Sequence, residues 1–438
     1  MGDCSHRKGR RGYSHSCKFH RAGGIGGRLN GRMAGDISRP ADGEHMKRLI
    51  LGSLTAMAVI AILATTGVSG QGKVDSPGVM AADGSVPALG SFKVPKTPWG
   101  EPDLQGTYNA NDLQGIPMQR AQTVGTRYKL SEDEFNQRVA QRDQNVANDN
   151  SDEFSLDRAE EFEKRFGTVG GAVSPPPHWL ERARSVSRVS SYVIDPPDGR
   201  IPALTPAAQA AAEKRQQAQA ARRKQLNGIE ADWTTDRSNY DRCISTGVLN
   251  SITPKIYNSG SRIVQGPGWL AFQNEMIHET RVIPTDGRTQ VGSGVQNWMG
   301  TSVGHWEGDV LVVETRNIKP ESPINGQPLS DQGVLTERFT LADPNTLDYR
   351  MTVNDPKVYA APWTLRLPIP REDTYGYFEY GCHEGNYAMP NLLAGSRAEE
   401  KRRAEAAARG EKIPEYVEPA RGGGAGRGGA AGGGRGNN

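Results

Sequence analysis

The chain has 438 residues, 35% hydrophobic and 24% charged, with a mean hydropathy of −0.63. That is enough for two ordinary domains or for one large domain with extensions, while the 53 glycines place much of the chain outside a packed core. The formal charge of +3 is misleading: residues 1–48 hold eleven Lys and Arg against four Asp and Glu, so 42 basic groups face 46 acidic ones from Gln71 onward, about −4, and the argument for nucleic acid disappears.

Residues 1–45 are rich in Gly, Arg and His without apolar periodicity and read as a mis-assigned leader, with Met46 as the true start. Residues 46–70 have the layout of a secretory signal peptide. Lys47 and Arg48 form its basic end, Leu49 to Ala64 its apolar run, and Val68-Ser69-Gly70 a small-residue cleavage site. The apolar run is short for a membrane span, which needs ~20 residues, so no stable membrane anchor is expected after cleavage. This predicts a periplasmic or secreted protein beginning at Gln71. Residues 71–98 are a linker rich in Gly, Pro and Ser.

Residues 99–232 read as a mixed, largely helical extension with short strands. Gly106-Thr107-Tyr108 enters a short strand. Ser131 with Glu134 forms a capping box opening a polar helix to about Gln144, and Ser151 to about Phe166 is a second helical patch. Ser191 to Asp195 is a short strand. Thr205-Pro206 opens a long helix without an apolar stripe, stopped at Asn227-Gly228.

From Trp233 the apolar period becomes two. Strands are predicted at Ser261–Gln265, Trp269–Asn274, Glu279–Ile283, Val303–Trp306, Val310–Arg316, Val334–Leu341, Thr346–Val353, Trp363–Ile369 and Tyr375–Tyr380. Asp286-Gly287 reads as a hairpin turn, and Glu307-Gly308-Asp309 as the tip of another. Residues 233–395 are therefore an antiparallel β domain, a β-sandwich or up-and-down barrel, with N-terminal and C-terminal helical extensions. Residues 396–438 carry a charged helix capped by Ser396 and a Gly-rich tail.

The blocks Pro98-Trp99-Gly100-Glu101-Pro102-Asp103-Leu104-Gln105-Gly106, Asp195-Pro196-Pro197-Asp198-Gly199-Arg200-Ile201-Pro202, His305-Trp306-Glu307-Gly308-Asp309, Thr336-Glu337-Arg338-Phe339 and Phe378-Glu379-Tyr380-Gly381-Cys382-His383-Glu384-Gly385-Asn386 resemble those of an uncharacterised family of exported bacterial β-rich proteins. The resemblance implies no activity. Gly106-Thr107-Tyr108 is also similar to the Gly-x-Trp of lipocalin-like barrels, with Tyr for Trp.

After signal removal only Cys243 and Cys382 remain, and in an oxidising compartment one disulfide is the first reading. Two free thiols or metal-bound thiolates are the rival. His278, His305 and His383 each lie near a carboxylate, Glu279, Glu307 and Glu384. Three imidazoles match the inventory of a catalytic zinc site, so a divalent metal is the one cofactor considered, although none of the spacings is a metal motif. Separate hydrogen-bonded histidines at turns are the alternative. With Trp306, these six residues are the ligand-binding candidates, gathered at one end of the β structure if strand order allows. Trp269, Phe272, Trp298, Trp363, Tyr377 and Tyr380 are core aromatics by default, but a barrel mouth lined by some would suit a small apolar or sugar ligand. The reading favours non-enzymatic binding of a small ligand or protein partner. The alternative is a secreted metal-dependent hydrolase using His278, His305 and His383.

Overall fold

The computed structural model describes residues 80, 81, 83–149, 180–227, 229 and 231–412. The leader, the signal segment, the helical patch at 151–166 and the Gly-rich tail lie outside the described residues. Ten strands are present among the described residues: β1 Gly106–Asn109, β2 Val193–Asp195, β3 Gly260–Gly266, β4 Trp269–Asn274, β5 Thr280–Pro284, β6 Thr301–Glu307, β7 Val310–Arg316, β8 Val334–Asp343, β9 Thr346–Asn354 and β10 Trp363–Pro370. Three helices accompany them: α1 Glu132–Asp149, α2 Pro206–Leu226 and α3 Ala388–Ala408.

The strands form two antiparallel sheets. One has the order β1-β3-β4-β5, the other β2-β10-β9-β8-β7-β6. From β3 to β10 the order is a meander, which short connections between antiparallel neighbours produce. The described strands do not close into a barrel: β5 and β6 lie side by side but belong to different sheets. A sixteen-residue connection, 285–300, separates them, so Asp286-Gly287 does not make the hairpin expected there. The hairpin at Gly308 does form, with Glu307 paired to Val310 and Gly308 at φ 63°, where Gly carries no Cβ penalty.

Alternation fills the space between the sheets. On the six-stranded sheet the inward rows are Leu335–Val353–Trp363, Glu337–Met351–Leu365, Phe339–Tyr349–Leu367 and Leu341–Leu347–Ile369. On the four-stranded sheet Ile263, Phe272 and Arg281 share an inward row. The Phe272 and Phe339 rings meet across the sheets at 5.8 Å. One charge from each sheet enters this core, and the two meet: both Glu337 oxygens accept from Arg281, at 2.7 and 2.8 Å, and also from Thr315 Oγ1 and Tyr349 Oη. Four donors satisfy the carboxylate and hold its pKa below the usual range against the burial that would raise it.

The described residues of 99–232 are part of this architecture. β1 pairs with β3, β2 pairs with β10, and Leu104, Tyr108, Leu113, Tyr128, Val189 and Tyr192 join the same core. The described residues belong to one unit. The capping box at α1 is present: Ser131 N–H donates to Glu134 Oε2 at 2.7 Å, and Glu134 N–H to Ser131 Oγ at 3.3 Å. α2 has the expected Thr205 cap and a left-handed Asn227 at its end, and it buries none of its side chains. Ser396 does not open a helix. It sits inside α3 and donates to the Leu392 carbonyl, a satisfied interior position rather than a cap.

Candidate functional site

The segment 375–386, expected to hold a strand at Tyr375–Tyr380, is irregular and folds against the outer face of β3 and β4. Between them lies an open cleft of about 410 Å³. Arg262 and Gln273, a cross-strand pair on that face, form its floor. Tyr377, Phe378, Tyr380 and Glu384 form the opposite wall, and Glu275 and His278 stand at the β4–β5 turn. The Arg262 guanidinium lies 4.6 Å from the centroid of the Tyr377 ring, a cation–π contact that fixes both side chains.

Four ties hold the wall in place. Cys243 and Cys382 are joined by a disulfide, with Cα atoms 5.8 Å apart. Asn386 Nδ2 donates to the Asp241 carbonyl at 2.9 Å. Phe378 N–H donates to Glu275 Oε1 at 2.9 Å. His278 Nδ1 lies 2.7 Å from the Tyr380 carbonyl. A carbonyl only accepts, so Nδ1 carries the proton, and in the neutral ring Nε2 is left as an acceptor.

Glu275 is the hub of the site. Asn258 Nδ2 donates to its Oε1 at 2.9 Å, and Tyr375 Oη and Gly260 N–H donate to Oε2 at 2.7 and 3.3 Å. Tyr375 Oη also lies 3.0 Å from Glu181 Oε1, so one phenol proton serves two carboxylates, and burial and the Glu275 bond push its pKa well above the usual phenol value. Burial likewise raises Tyr377 and pushes Tyr380 up to about 12. Beneath the cluster Lys255 is fully buried, its Nζ donating to the Ser251 and Thr253 carbonyls. Burial pulls its pKa down to about 8, and Glu279, Glu275 and Glu181 oppose that fall.

The turn that carries His278 is strained. Ile277 sits at φ 60° and ψ 10°, and His278 at φ 46°. A β-branched residue in the left-handed region costs on the order of 1–3 kcal/mol and persists only where its surroundings hold it there. Burial of Met276 and Ile277 and the Glu275–His278 turn bond do so here.

The predicted residues are divided. His278 and Glu384 line the cleft. Glu279 points elsewhere: its Oε2 accepts from the Thr246 N–H and hydroxyl. His305 and Glu307 pair with each other at 3.1 Å on the edge strand β6, both well exposed, and Trp306 packs partly against the core. His383 does not line the cleft; its carbonyl accepts from Asn386 N–H. Among the described residues no group of three or more His, Cys, Asp or Glu could hold an ion, so the structure does not show the shared metal site weighed as the alternative for His278, His305 and His383. The fold distributes these residues over a turn, an edge strand and an irregular segment: His278 meets the distant Tyr380 carbonyl and His305 meets Glu307. Arg262, Gln273, Glu275 and Phe378 were missed by sequence reasoning. Arg262 alone carried a signal, as the one charged residue of a predicted strand.

No protein family, curated protein or solved structure matches this chain. Among the described residues no helix is long and apolar enough to cross a membrane.

Proposed function

We propose that this chain is an exported, non-enzymatic binding protein that holds a small sugar-like ligand in the cleft between the β3–β4 face and the segment 375–386. The lining carries this reading. The exposed Phe378 ring stands beside Arg262 and Gln273, with the Tyr377 ring lying against the Arg262 guanidinium and Glu384 and His278 at the margin. Rings offer the apolar face of a pyranose a stacking surface, and the amide, guanidinium and carboxylate supply donors and acceptors for its hydroxyls. An apolar ligand would leave those polar groups desolvated and unpaired. The signal-peptide layout at 46–70 and the disulfide support export.

A thermal-shift and calorimetric screen of mono- and disaccharides against apolar dyes tests the proposal. Saccharides should raise Tm in a concentration-dependent way. Gln273→Ala and Phe378→Ala should each weaken binding roughly tenfold, the size of one lost hydrogen bond to a charged or well-placed group or one lost stacking surface. Binding of apolar dyes alone would overturn it.

A further inference from the structure

The outer face of the four-stranded sheet does not end at the cleft. Beyond the row Arg262–Gln273–Thr280 come the rows Val264–Ala271–Val282 and Gly266–Trp269–Pro284. Ile283 keeps the ordinary inward apolar place on β5, but the pair before it departs from hydrophobic patterning. Arg281 points inward to Glu337 while Val282 faces solvent at 62% exposure. Val264 is 41% exposed and Trp269 40%. The stripe is therefore apolar, solvent-facing and continuous with the floor of the cleft.

Its far end carries a built platform. The Trp269 indole lies across Gly266 on the neighbouring strand: a Cβ at 266 would stand 2.5 Å from the ring. Only Gly lets the ring lie flat there, and flatness leaves its second face to solvent. At the near end Phe378 is 64% exposed beside the cleft. Four residues of strand, 262 to 266, separate the two ends, roughly 13 Å. A single pyranose ring cannot reach from one platform to the other, whereas a linear chain of sugars lying on a flat face can.

We propose that the site is extended and that its ligand is a linear oligosaccharide, seated in the cleft at one end and stacked on Trp269 at the other. This rests on the sugar-binding reading of the cleft. Aromatic platforms joined by an aliphatic strip match the apolar faces of successive rings, and the polar groups sit at the cleft, where one residue is gripped by its hydroxyls. A peptide adding to the β5 edge would instead use backbone groups and leave Trp269 idle.

Calorimetry on the full, disulfide-intact chain decides the matter, with β-1,4-linked glucose and N-acetylglucosamine oligomers of two to six units as probes. Affinity should rise roughly tenfold or more from the shortest to the longest probe, one added stacking contact being worth about that factor. Trp269→Ala should flatten this dependence on length, and Trp269→Phe should restore part of it. Gly266→Val, which would lift the indole, should act like Trp269→Ala, with the folded state of each variant checked by circular dichroism. Equal affinity for all lengths, or a length dependence that survives Trp269→Ala, overturns the extended site and leaves the cleft reading intact. No response to any saccharide overturns both.

Discussion

Lys255 shows how one side chain couples this site to solution conditions. Its ammonium is buried on two carbonyls, and its pKa falls from 10.5 to about 8. Between pH 8 and 10.5 the unfolded chain binds the proton that the folded chain has released, so stability rises with pH across that window. Below pH 8 the full burial penalty stands. The swing is up to about 3 kcal/mol. Tyrosines with raised pKa values pull the other way at the top of the range, so a difference is the clean measurement. The Tm of the wild type relative to Lys255→Met should climb between pH 8 and 10; a flat difference would remove Lys255 as the cause. His278 lies at the same scale. Its role as a tie to the Tyr380 carbonyl depends on a backbone turn that the β-branched Ile277 disfavours.

Among the elements, the segment 375–386 is the one whose conformation comes from attachments rather than from its own pattern. Its sequence alternates well enough to suggest a strand, yet it pairs with none of the sheet edges. The disulfide to Cys243, the Asn386 bond and the Glu275 bond hold it over β3 and β4 instead. Breaking the disulfide, which closes a loop of 139 residues, should cost ~4–5 kcal/mol on the chain-entropy account. Hydrogen exchange should then rise at 375–386 before it rises in β8 or β9, because the inner strands keep all their ladder partners. Uniform loosening of both sheets would contradict this. The β6–β7 hairpin is the opposite case: Asp309 is tied to Lys96 Nζ at 2.7 Å and to Val94 N–H at 3.2 Å, so the His305–Asp309 block fastens the hairpin tip to the chain before β1.

At the scale of the whole molecule a buried ion pair ties the two sheets together among the described residues. Arg281 and Glu337 lie in facing inward rows, and their side chains are 4% and 0% exposed. Removing one partner strands the other, so Glu337→Leu should lower stability by ~3–5 kcal/mol. The double variant Arg281→Met with Glu337→Leu should recover most of that loss, since an apolar pair of similar volume needs no solvation. Urea unfolding of the three variants checks this; a double variant as unstable as the single one would show that the pair does more than balance its own burial. Glu337 also predicts acid sensitivity. Its pKa is depressed in the folded state, so its stabilisation is present above about 4.5 and is lost as pH falls through the lower folded value.

The sequence by itself determined what local rules and period decide. The strands from β3 to β10, the Gly308 turn, the Ser131–Glu134 box and the Thr205 and Asn227 caps were all legible because each depends on residues close in the chain. The Cys243–Cys382 bond was legible by elimination, once residues 1–70 were set aside. Leu335, Glu337, Phe339 and Leu341 already placed one charge on an inward face, but its partner had to come from the facing sheet. Only the tertiary structure decided that Arg281 turns in while Val282 turns out, that His278, His305 and His383 fall on a turn, an edge strand and an irregular segment, and that Gly266 makes room for a flat Trp269. Those outcomes depend on which faces meet across tens or hundreds of residues, and spacing along the chain carries no information about which strand a side chain will face.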